Sequence, residues 1–166
     1  DRYNHNLETS KRFFPSVVST HTYEDRESTV RTAIDAGMEA CCGGIVGMGG
    51  HEEDRVELAF ALRDLAVSSI PVNFLDPREG TPMETSQSLS AEECLRVLAL
   101  FRFVNPSRDL RIAGGREVNL GDKQALALYA ANSLFAEGYL TTSGQGYTRD
   151  RELIEGAGFH VVEVID

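Results

Sequence analysis

The sequence is poor in cysteine and in positive charge, and it has no long apolar run. Among 166 residues, 16 are Lys or Arg and 26 are Asp or Glu, which gives a net charge of −10. That balance argues against nucleic acid or an anionic membrane as the main partner, because both attract cations. No apolar segment approaches the roughly 20 residues that a membrane helix needs, and no signal-peptide pattern is present. We therefore expect a cytoplasmic protein of one domain.

Only three cysteines occur, Cys41, Cys42 and Cys94, and two of them are adjacent. This makes a poor disulfide framework, since a bond between neighbours would close a strained ring. Adjacent residues of a strand point to opposite faces, so only one of Cys41 and Cys42 can face the interior of a barrel. An inward thiol near a strand end is a candidate ligand for iron or zinc, and a plain buried thiol is the alternative. Cys94 lies in an apolar helical pattern and is expected to serve packing.

An initiating methionine is also absent. The chain begins DRYNHNLETS, with a polar cluster already under way. Its length suits one domain and also suits the larger part of a bigger barrel. We therefore expect the sequence to be a piece of a longer protein.

Segments with helical and strand patterns alternate along the chain. Apolar residues at helical spacing predict helices, and short apolar runs closed by Gly or Pro predict strands. The predicted helices span 24–36, 52–65, 91–104, 122–136 and 150–156, and the predicted strands span 38–48, 70–75, 111–113 and 139–142. A repeat of about 30 to 40 residues is typical of βα units around a parallel sheet. No linker interrupts it, so we expect an α/β fold in a single domain over residues 1–166.

Polar residues fall where the predicted strands end or just after them. They are Asn4, His5, Asn6 and Glu8 near the start, then Cys41 or Cys42, Asn73, Arg111, Thr141 and Thr142. The carboxyl ends of parallel strands are where α/β barrels and open sheets place their sites. One such residue usually serves a turn, but five positions in succession predict a functional rim. His21, His51 and His160 share no metal-ligand spacing, so we assign them no chemistry.

Five segments together resemble the biotin synthase family of radical S-adenosylmethionine enzymes. They are YNHNLETS (3–10), CCGGIVGMGG (41–50), NFLDPREGTP (73–82), RIAGGRE (111–117) and YLTTSG (139–144). They occur in the family's order, with similar spacing, across nearly the whole chain, so the resemblance is highly specific. It implies a (β/α)8 TIM-type barrel of which this chain is roughly the second half, from about the end of the fourth strand onward.

The resemblance also implies a reaction and its cofactors. The family uses a [4Fe-4S] cluster to cleave S-adenosylmethionine into a 5′-deoxyadenosyl radical, which abstracts hydrogen from dethiobiotin. Sulfur from an auxiliary [2Fe-2S] cluster then closes the thiophane ring, so the complete enzyme is a sulfurtransferase of biotin biosynthesis. An electron donor such as flavodoxin or ferredoxin and a homodimeric state are further expectations, with no nucleic acid and no membrane as partners.

Six positions carry over from the family to the cofactors. Cys41 matches the cysteine ligand of the auxiliary cluster, and Arg111 matches that cluster's unusual arginine ligand. An arginine ligand is chemically odd, because a protonated guanidinium offers no lone pair. The positions that match S-adenosylmethionine contacts are Asn6, Glu8, Arg26 and Ile45. Among these, Arg26 falls near the methionyl carboxylate, a bidentate task that suits a guanidinium.

Four positions carry over to the substrate, and they are Asn4, Asn73, Thr141 and Thr142. The amide of Asn73 can meet the ureido ring of dethiobiotin as both donor and acceptor. The two threonines match a pair on the last strand that faces the substrate. The resemblance assigns no residue of this chain a catalytic role of its own.

The chain departs from the family pattern in two places. Its glycine-rich segment ends Gly49-Gly50-His51 where the family usually has Gly-Glu, so either Glu52 replaces that acid or the contact is lost. The Cys-x3-Cys-x2-Cys run that holds the [4Fe-4S] cluster is missing, as are the other two auxiliary-cluster cysteines, so the fragment alone should be inactive. The alternatives are another radical enzyme, such as a hydrogenase-cluster maturase, and a non-catalytic α/β fragment.

Overall fold

The computed structural model describes residues 1–136, 138–139 and 142–162. Its strands are β1 (Arg2–Asn4), β2 (Glu39–Cys41), β3 (Gly44–Val46), β4 (Ser69–Phe74), β5 (Asp109–Ile112), β6 (Ser133–Leu134), β7 (Gly138–Tyr139) and β8 (Thr142–Ser143). Its helices are α1 (Tyr23–Asp35), α2 (Glu52–Asp64), α3 (Ala91–Val104), α4 (Arg116–Leu120), α5 (Gln124–Ala127) and α6 (Tyr147–Gly156), with 3-10 turns at Phe14–Ser16 and Gly121–Lys123.

Strands β1 to β6 form one parallel sheet in the order β1-β2-β4-β5-β6, and β3 also pairs with β4. β3 continues the line of β2, because Cys41 pairs with Ser69 and Gly44 pairs with Val72 in the same register. The segment predicted as one strand over 38–48 is therefore a strand interrupted at Cys42 and Gly43. Each step to the next strand position passes through a helix, as in half of a βα barrel.

The helices cover one face of the sheet. Alternate residues of β4 and β5, namely Ile70, Val72, Phe74, Leu110 and Ile112, are buried in the hydrophobic core. The helices contribute Leu58 and Leu62 from α2 and Val97, Leu98 and Phe101 from α3 to the same core. Burial of each large apolar side chain stabilises the fold by about 1.5–3 kcal/mol, so this face holds sheet and helices together. The opposite face of the strands carries none of these core residues.

Helices α1 and α3 begin at capping boxes that can be read in the sequence. The Thr22 hydroxyl accepts from the Asp25 amide at 3.1 Å, and the Asp25 carboxylate accepts from the Thr22 amide at 2.8 Å. Ser90 and Glu93 make the same reciprocal pair at the start of α3. Both boxes satisfy backbone donors that a helix start leaves unpaired. Within the described ranges, no helix combines the length and the apolar content needed to cross a bilayer.

The helix predicted over 122–136 is wrong. Only the four residues of α5 are α-helical there, and the chain then turns into β6. Asn132 fixes the turn, because its Oδ1 accepts from the Leu110 amide at 2.9 Å and from Arg102 at 2.8 Å. Parallel pairing of β6 with β5 satisfies the backbone that follows. Tertiary hydrogen bonds thus override the helical periodicity of this segment.

The strand predicted over 139–142 lies partly outside the described residues. Tyr139 ends β7 and Thr142 begins β8, and these two strands pair antiparallel with each other. Among the described residues they pair with no strand of the parallel sheet. The predicted parallel strand at this position is therefore not what the described backbone forms.

Candidate functional site

The candidate site lies on the face of the sheet opposite the helices. Side chains alternate along a strand, so the core positions of β4 leave Ser69, Pro71 and Asn73 on the other face. In the same way β5 presents Arg111, which pairs with Pro71 in the sheet. Cys41 pairs with Ser69 and belongs to this face as well. Residues distant in sequence therefore share one inner surface, as the predicted rim requires.

The two adjacent cysteines differ in their surroundings. Cys42 is fully buried among the core residues beneath the helices, and this burial raises the pKa of its thiol to about 12. Cys41 is also buried but is not a member of that core, because it ends β2 on the inner side. The strand alternation expected from the sequence is thus realised with Cys41 inward. Cys94 is fully buried within α3 and serves packing, as predicted.

Ser69 lies beside Cys41 on the inner face. Its residue is fully buried, and its Oγ makes no hydrogen bond within the part of the chain that the structure describes. A buried hydroxyl without a partner is costly, by about 1–3 kcal/mol, unless some other group satisfies it. The surroundings of the Cys41 thiol therefore fit a bound group that carries hydrogen-bond acceptors. Sequence reasoning missed Ser69, since a serine before an apolar run has no distinctive pattern.

A β-bulge shapes the segment that follows β1. The amides of Leu7 and Glu8 both donate to the Gly43 carbonyl, at 2.9 and 3.2 Å, so two residues oppose one. Glu8 takes a left-handed backbone, with φ of 72°, which is uncommon for a residue other than glycine. Asn6 secures the bulge, because its Oδ1 accepts from the Gly43 amide at 3.1 Å. The bulge turns the Asn6 and Glu8 segment against the break between β2 and β3.

The glycine pair at this break is required by close backbone contacts. A Cβ on Gly43 would lie 1.9 Å from the Pro71 carbonyl oxygen, and one on Gly44 would lie 2.4 Å from the Glu8 carbonyl oxygen. No side chain fits at such distances, so CCGG is a packing motif as well as a neighbour of the site. This explains in part why the cysteines stand at the head of a glycine-rich segment.

Arg26 projects from the first turns of α1 towards the bulge. Its Nη1 donates to the Asn6 carbonyl at 2.8 Å and lies 3.4 Å from Glu8 Oε1. Its Nε donates to His21 Nε2 at 2.9 Å. Burial raises the pKa of the Glu8 carboxyl, while attraction to Arg26 opposes that rise. The structure therefore brings the predicted residues Asn6, Glu8 and Arg26 together, and it adds His21, which sequence reasoning had left without a role.

Asn73 joins three strand ends. Its Nδ2 donates to the Gly44 carbonyl at 3.1 Å, and its Oδ1 accepts from the Gly114 amide at 3.0 Å. The side chain is buried on the inner face. With both bonds made, the Asn73 amide still has one further N–H and one further lone pair. Asn73 can therefore hold the strands together and also contact a ligand. Ile45 is the register partner of Asn73 and is partly buried beside it.

Arg111 lies on the inner face but is turned away from Cys41. Its Nε donates to Ser133 Oγ at 2.8 Å, and its guanidinium lies 5.2 Å from the centre of the Phe135 ring. Strand spacing and rise place the Cα atoms of Cys41 and Arg111 roughly 12 Å apart. The long side chain can span part of that distance only by leaving Ser133. In this structure, then, the two predicted cluster ligands share a surface but not a contact.

The remaining predicted substrate residues are less informative. Asn4 is exposed on β1 and pairs with Cys41 in the sheet. Thr141 lies outside the described residues, and Thr142 is described only through its backbone in β8. Within the described ranges, no group of three or more His, Cys, Asp or Glu side chains is placed to hold a metal ion. Any metal cluster at Cys41 therefore needs ligands from elsewhere.

Glu52, the predicted alternative to the acid missing after Gly49, is exposed in the first turn of α2. The buried acid nearby is Asp54, whose carboxylate accepts from Ser10 Oγ at 2.6 Å and from Arg12 Nη2 at 2.9 Å. Burial opposes ionisation of this carboxyl, yet its hydrogen bonds and the Arg12 charge lower its pKa. Asp54 thus ties the start of α2 to the segment after β1.

The fold and the inner face together define the class, an α/β fold that corresponds to about half of a βα barrel. Methylornithine synthase superposes with a TM-score of 0.77 and 19% identity, covering 98% of this chain and 52% of the other. The FeFe-hydrogenase maturase HydG from Carboxydothermus hydrogenoformans gives a TM-score of 0.74 and 15% identity, covering 96% of this chain and 42% of the other. These likenesses confirm the predicted fold class, with this chain matching about half of each barrel.

Sequence similarity then identifies the family. The family model of the Biotin and Thiamin Synthesis associated domain matches residues 71–160, and the chain belongs to that family. The biotin synthase of Salinibacter ruber is 58% identical over all of this chain and 46% of that protein. The biotin synthase of Geobacillus thermodenitrificans is 50% identical over 97% of this chain and 48% of that protein. The chain spans about half the length of these curated relatives, and the resemblance drawn from the five motifs is confirmed.

Proposed function

We propose that this chain is the carboxyl-terminal half of a biotin synthase, which in its complete form inserts sulfur into dethiobiotin to make biotin. The observation that carries the proposal is the inward Cys41, the position to which the motif resemblance assigns a ligand of the auxiliary cluster, in a chain that is 58% identical to a biotin synthase. Residues 1–166 form one part of a single barrel domain in this proposal. The first half of the barrel would supply the remaining cluster ligands.

The residues of the inner face fit an auxiliary [2Fe-2S] cluster. Cys41 would hold it through a thiolate, and the unpartnered Ser69 hydroxyl beside it is free to donate to a sulfur acceptor. Arg111 would approach from β5 after leaving Ser133. When bound, the cluster supplies the sulfur atom, and the [4Fe-4S] cluster of the missing half supplies the electron that cleaves S-adenosylmethionine. The chain itself holds and orients the bound groups, and it keeps water out of the site.

The Arg26 group would bind S-adenosylmethionine. Arg26 supplies a partly exposed guanidinium for the methionyl carboxylate, with Glu8 close enough to limit its movement. Asn6 and Glu8 lie on the bulge next to it, and Ile45 offers an apolar side chain on the neighbouring β3. These groups come from the segment after β1, from β3 and from the start of α1, so together they offer the extended surface that a nucleoside ligand requires.

Dethiobiotin would lie across the strand ends between Asn4 and Asn73. The free N–H and lone pair of the Asn73 amide suit a ureido ring, which needs one donor and one acceptor. Thr141 and Thr142 complete this set in the proposal, through their match to the family's substrate-facing pair. A flavodoxin or ferredoxin as electron donor, a homodimer and a cytoplasmic location complete the proposed setting.

Neither alternative has an observation in its favour. The likeness to the hydrogenase maturase is one of fold, at 15% identity, whereas the biotin synthases match at 50% and above. A non-catalytic fragment would leave the inner Cys41, Ser69 and Arg111 without a purpose. Sequencing upstream of Asp1 separates the readings, since an enzyme needs an in-frame Cys-x3-Cys-x2-Cys run there.

The adjacent cysteines provide a matched test in the complete protein. Cys41→Ala should remove the visible absorption and the iron of the auxiliary cluster while sparing the S-adenosylmethionine cluster. Cys42→Ala should keep both clusters, because Cys42 packs beneath the helices. Optical spectra and iron content of the two reconstituted variants decide the matter. Full iron and both clusters in Cys41→Ala would reject the proposal.

A further inference from the structure

His21 stands at the edge of the proposed S-adenosylmethionine site and in direct contact with it. It precedes α1 and is half-buried, with its ring edge against Phe14 at a centroid distance of 5.7 Å. Its Nε2 lies 2.9 Å from Arg26 Nε, and its Nδ1 lies 2.9 Å from Thr20 Oγ1. Both ring nitrogens are therefore engaged, and the ring is packed on a buried phenylalanine.

The contact with Arg26 decides the protonation of the imidazole. An arginine Nε–H can only donate, so His21 Nε2 must offer its lone pair and carry no proton. The ring proton of the neutral form is then on Nδ1, where it donates to Thr20 Oγ1. A second proton on the ring would sit on Nε2, remove the acceptor and place two cations against each other. The observed geometry thus belongs to one tautomer of neutral histidine.

We infer that His21 is the positioning residue for Arg26, holding the guanidinium edge-on so that Nη2 is presented to the carboxylate of S-adenosylmethionine. This inference rests on the binding role proposed for Arg26. The other contacts of the guanidinium use Nη1, which reaches the Asn6 carbonyl and Glu8. Nε is held by His21, and Nη2 makes no hydrogen bond to any residue that the structure describes. The arrangement leaves the two N–H groups of Nη2 for an incoming carboxylate.

The inference predicts a pH dependence with a defined sign. A proton on Nε2 would remove the acceptor for Arg26 and set two cations against each other, so protonation of His21 would weaken the affinity for S-adenosylmethionine. The ionisable groups around His21 are Arg26 and Asp25 on α1, and Glu8 and His5 on the segment after β1. Burial, followed by the charge of Arg26, lowers the pKa of His5, and burial raises the pKa of Glu8, so both groups also respond to acid. A comparison between variants is needed to isolate His21.

The test measures equilibrium binding of S-adenosylmethionine to the complete, reconstituted protein from about pH 8 to about pH 5.5. Replacement by leucine, His21→Leu, should weaken binding about tenfold at all pH values, the effect of losing one hydrogen bond to a charged group. His21→Gln should bind like the wild type near pH 8, because an amide oxygen can accept from Nε, and should lack the acid loss attributable to His21. His160→Gln, an exposed histidine outside the site, is the control and should follow the wild type throughout.

Two results would overturn the inference. The first is wild-type affinity of His21→Leu, and the second is an acid loss in His21→Gln that equals that of the wild type. Thermal melting of the same samples shows whether His21→Leu is folded. If His21→Leu is unfolded, the pH profile of His21→Gln alone tests the inference. The variant Arg26→Gln distinguishes a failure of the binding role proposed for Arg26 from a failure of the inference about His21. If it weakens binding while His21 variants do not, the binding role of Arg26 survives and only the inference fails.

Discussion

Two arginines, Arg26 and Arg116, meet carboxylates in very different ways. Arg116, at the start of α4, is 1% exposed, and its Nη2 donates to both oxygens of Asp150 at 2.6 and 2.7 Å. Arg26 has a side chain that is 17% exposed and lies 3.4 Å from Glu8. A buried pair with short bonds on both carboxylate oxygens is closed to a ligand, even though Arg116 Nε makes no hydrogen bond within the described residues, whereas a partly exposed and loosely paired guanidinium can accept a ligand.

The surroundings of the two residues support that distinction. Arg116 also donates to Gln124 and lies near the Phe135 carbonyl, while Gln145 donates to Asp150, so a closed network joins α4 to α6. Around Arg26 the partners are a backbone carbonyl, a neutral histidine and a distant carboxylate. Charge alone therefore does not mark a site, since what matters is whether the guanidinium is exposed and how closely a carboxylate of the protein already neutralises it.

The largest expected effect concerns the buried pair. Asp150→Ala in the complete protein should lower the free energy of unfolding by about 3–5 kcal/mol, because it removes both short bonds to a buried charge and leaves Arg116 only the ion pair with Glu117 at 3.1 Å. Glu27→Ala breaks the exposed ion pair with Arg31 and should cost less than about 0.5 kcal/mol. Urea denaturation compares the two. Equal losses would show that the Arg116 pair is not a structural lock.

A second effect concerns the close backbone approach beside the site. Gly43→Ala should destabilise the protein by about 1–3 kcal/mol or more, since its Cβ would lie 1.9 Å from the Pro71 carbonyl oxygen. Gly156→Ala, at the end of α6 with open space around it, should be neutral or stabilising by up to about 1 kcal/mol. The melting temperatures of the two variants are the measurement. Tolerance of Gly43→Ala would contradict the tight junction between the broken strand and β4.

A third and smaller effect concerns Asp54, and it depends on pH. Because the folded-state pKa is lowered, ionised Asp54 contributes stability above its unfolded pKa of about 3.9, and this contribution disappears as the pH falls through the lower folded value. Asp54→Asn should cost about 1–3 kcal/mol at pH 7 and much less in strong acid. Asp64→Asn, on an exposed carboxylate at the end of α2, is the control. Parallel stability curves for Asp54→Asn and the wild type down to low pH would refute the assignment.

The smallest effect on stability is expected at Arg26. Arg26→Gln should change the free energy of unfolding by less than about 1 kcal/mol, because the pair with Glu8 is loose and partly exposed. Its affinity for S-adenosylmethionine should nevertheless fall clearly, which Arg116 variants that remain folded should not show. Denaturation and ligand titration on the same sample test both statements. A large loss of stability would show that Arg26, like Arg116, mainly stabilises the fold, which would contradict the difference drawn between the two arginines.

Local patterns predicted much of the fold. Helices α1, α2 and α3 are predicted correctly within one or two residues, because the apolar periodicity of a helix is contained in a short stretch of sequence. The helix predicted over 122–136 was wrong for the opposite reason. The conformation of this segment depends on the hydrogen bonds of Asn132 and on the pairing of β6 with β5. These contacts join segments more than 20 positions apart.

For the candidate site, the sequence predicted residues that share one face of the sheet, but it did not predict their contacts. The motif resemblance selected Cys41, Asn73 and Arg111, and the structure places all three on one face. It did not indicate that Arg111 turns to Ser133 or that Asn73 binds two backbones. The direction of each side chain depends on its partners on neighbouring strands, and no local sequence pattern specifies those partners.

By itself the sequence determined the family, the alternation of strands and helices, and the fact that one of two adjacent thiols must face inward. Those conclusions rest on short-range geometry, the period of two along a strand and about 3.6 along a helix. Only the tertiary structure decided that Cys41 is the inward thiol, that Arg116 is paired with Asp150, and that His21 accepts a hydrogen bond from Arg26. Each depends on which distant groups meet when sheet and helices pack, because burial and hydrogen-bond partners are properties of the assembled fold.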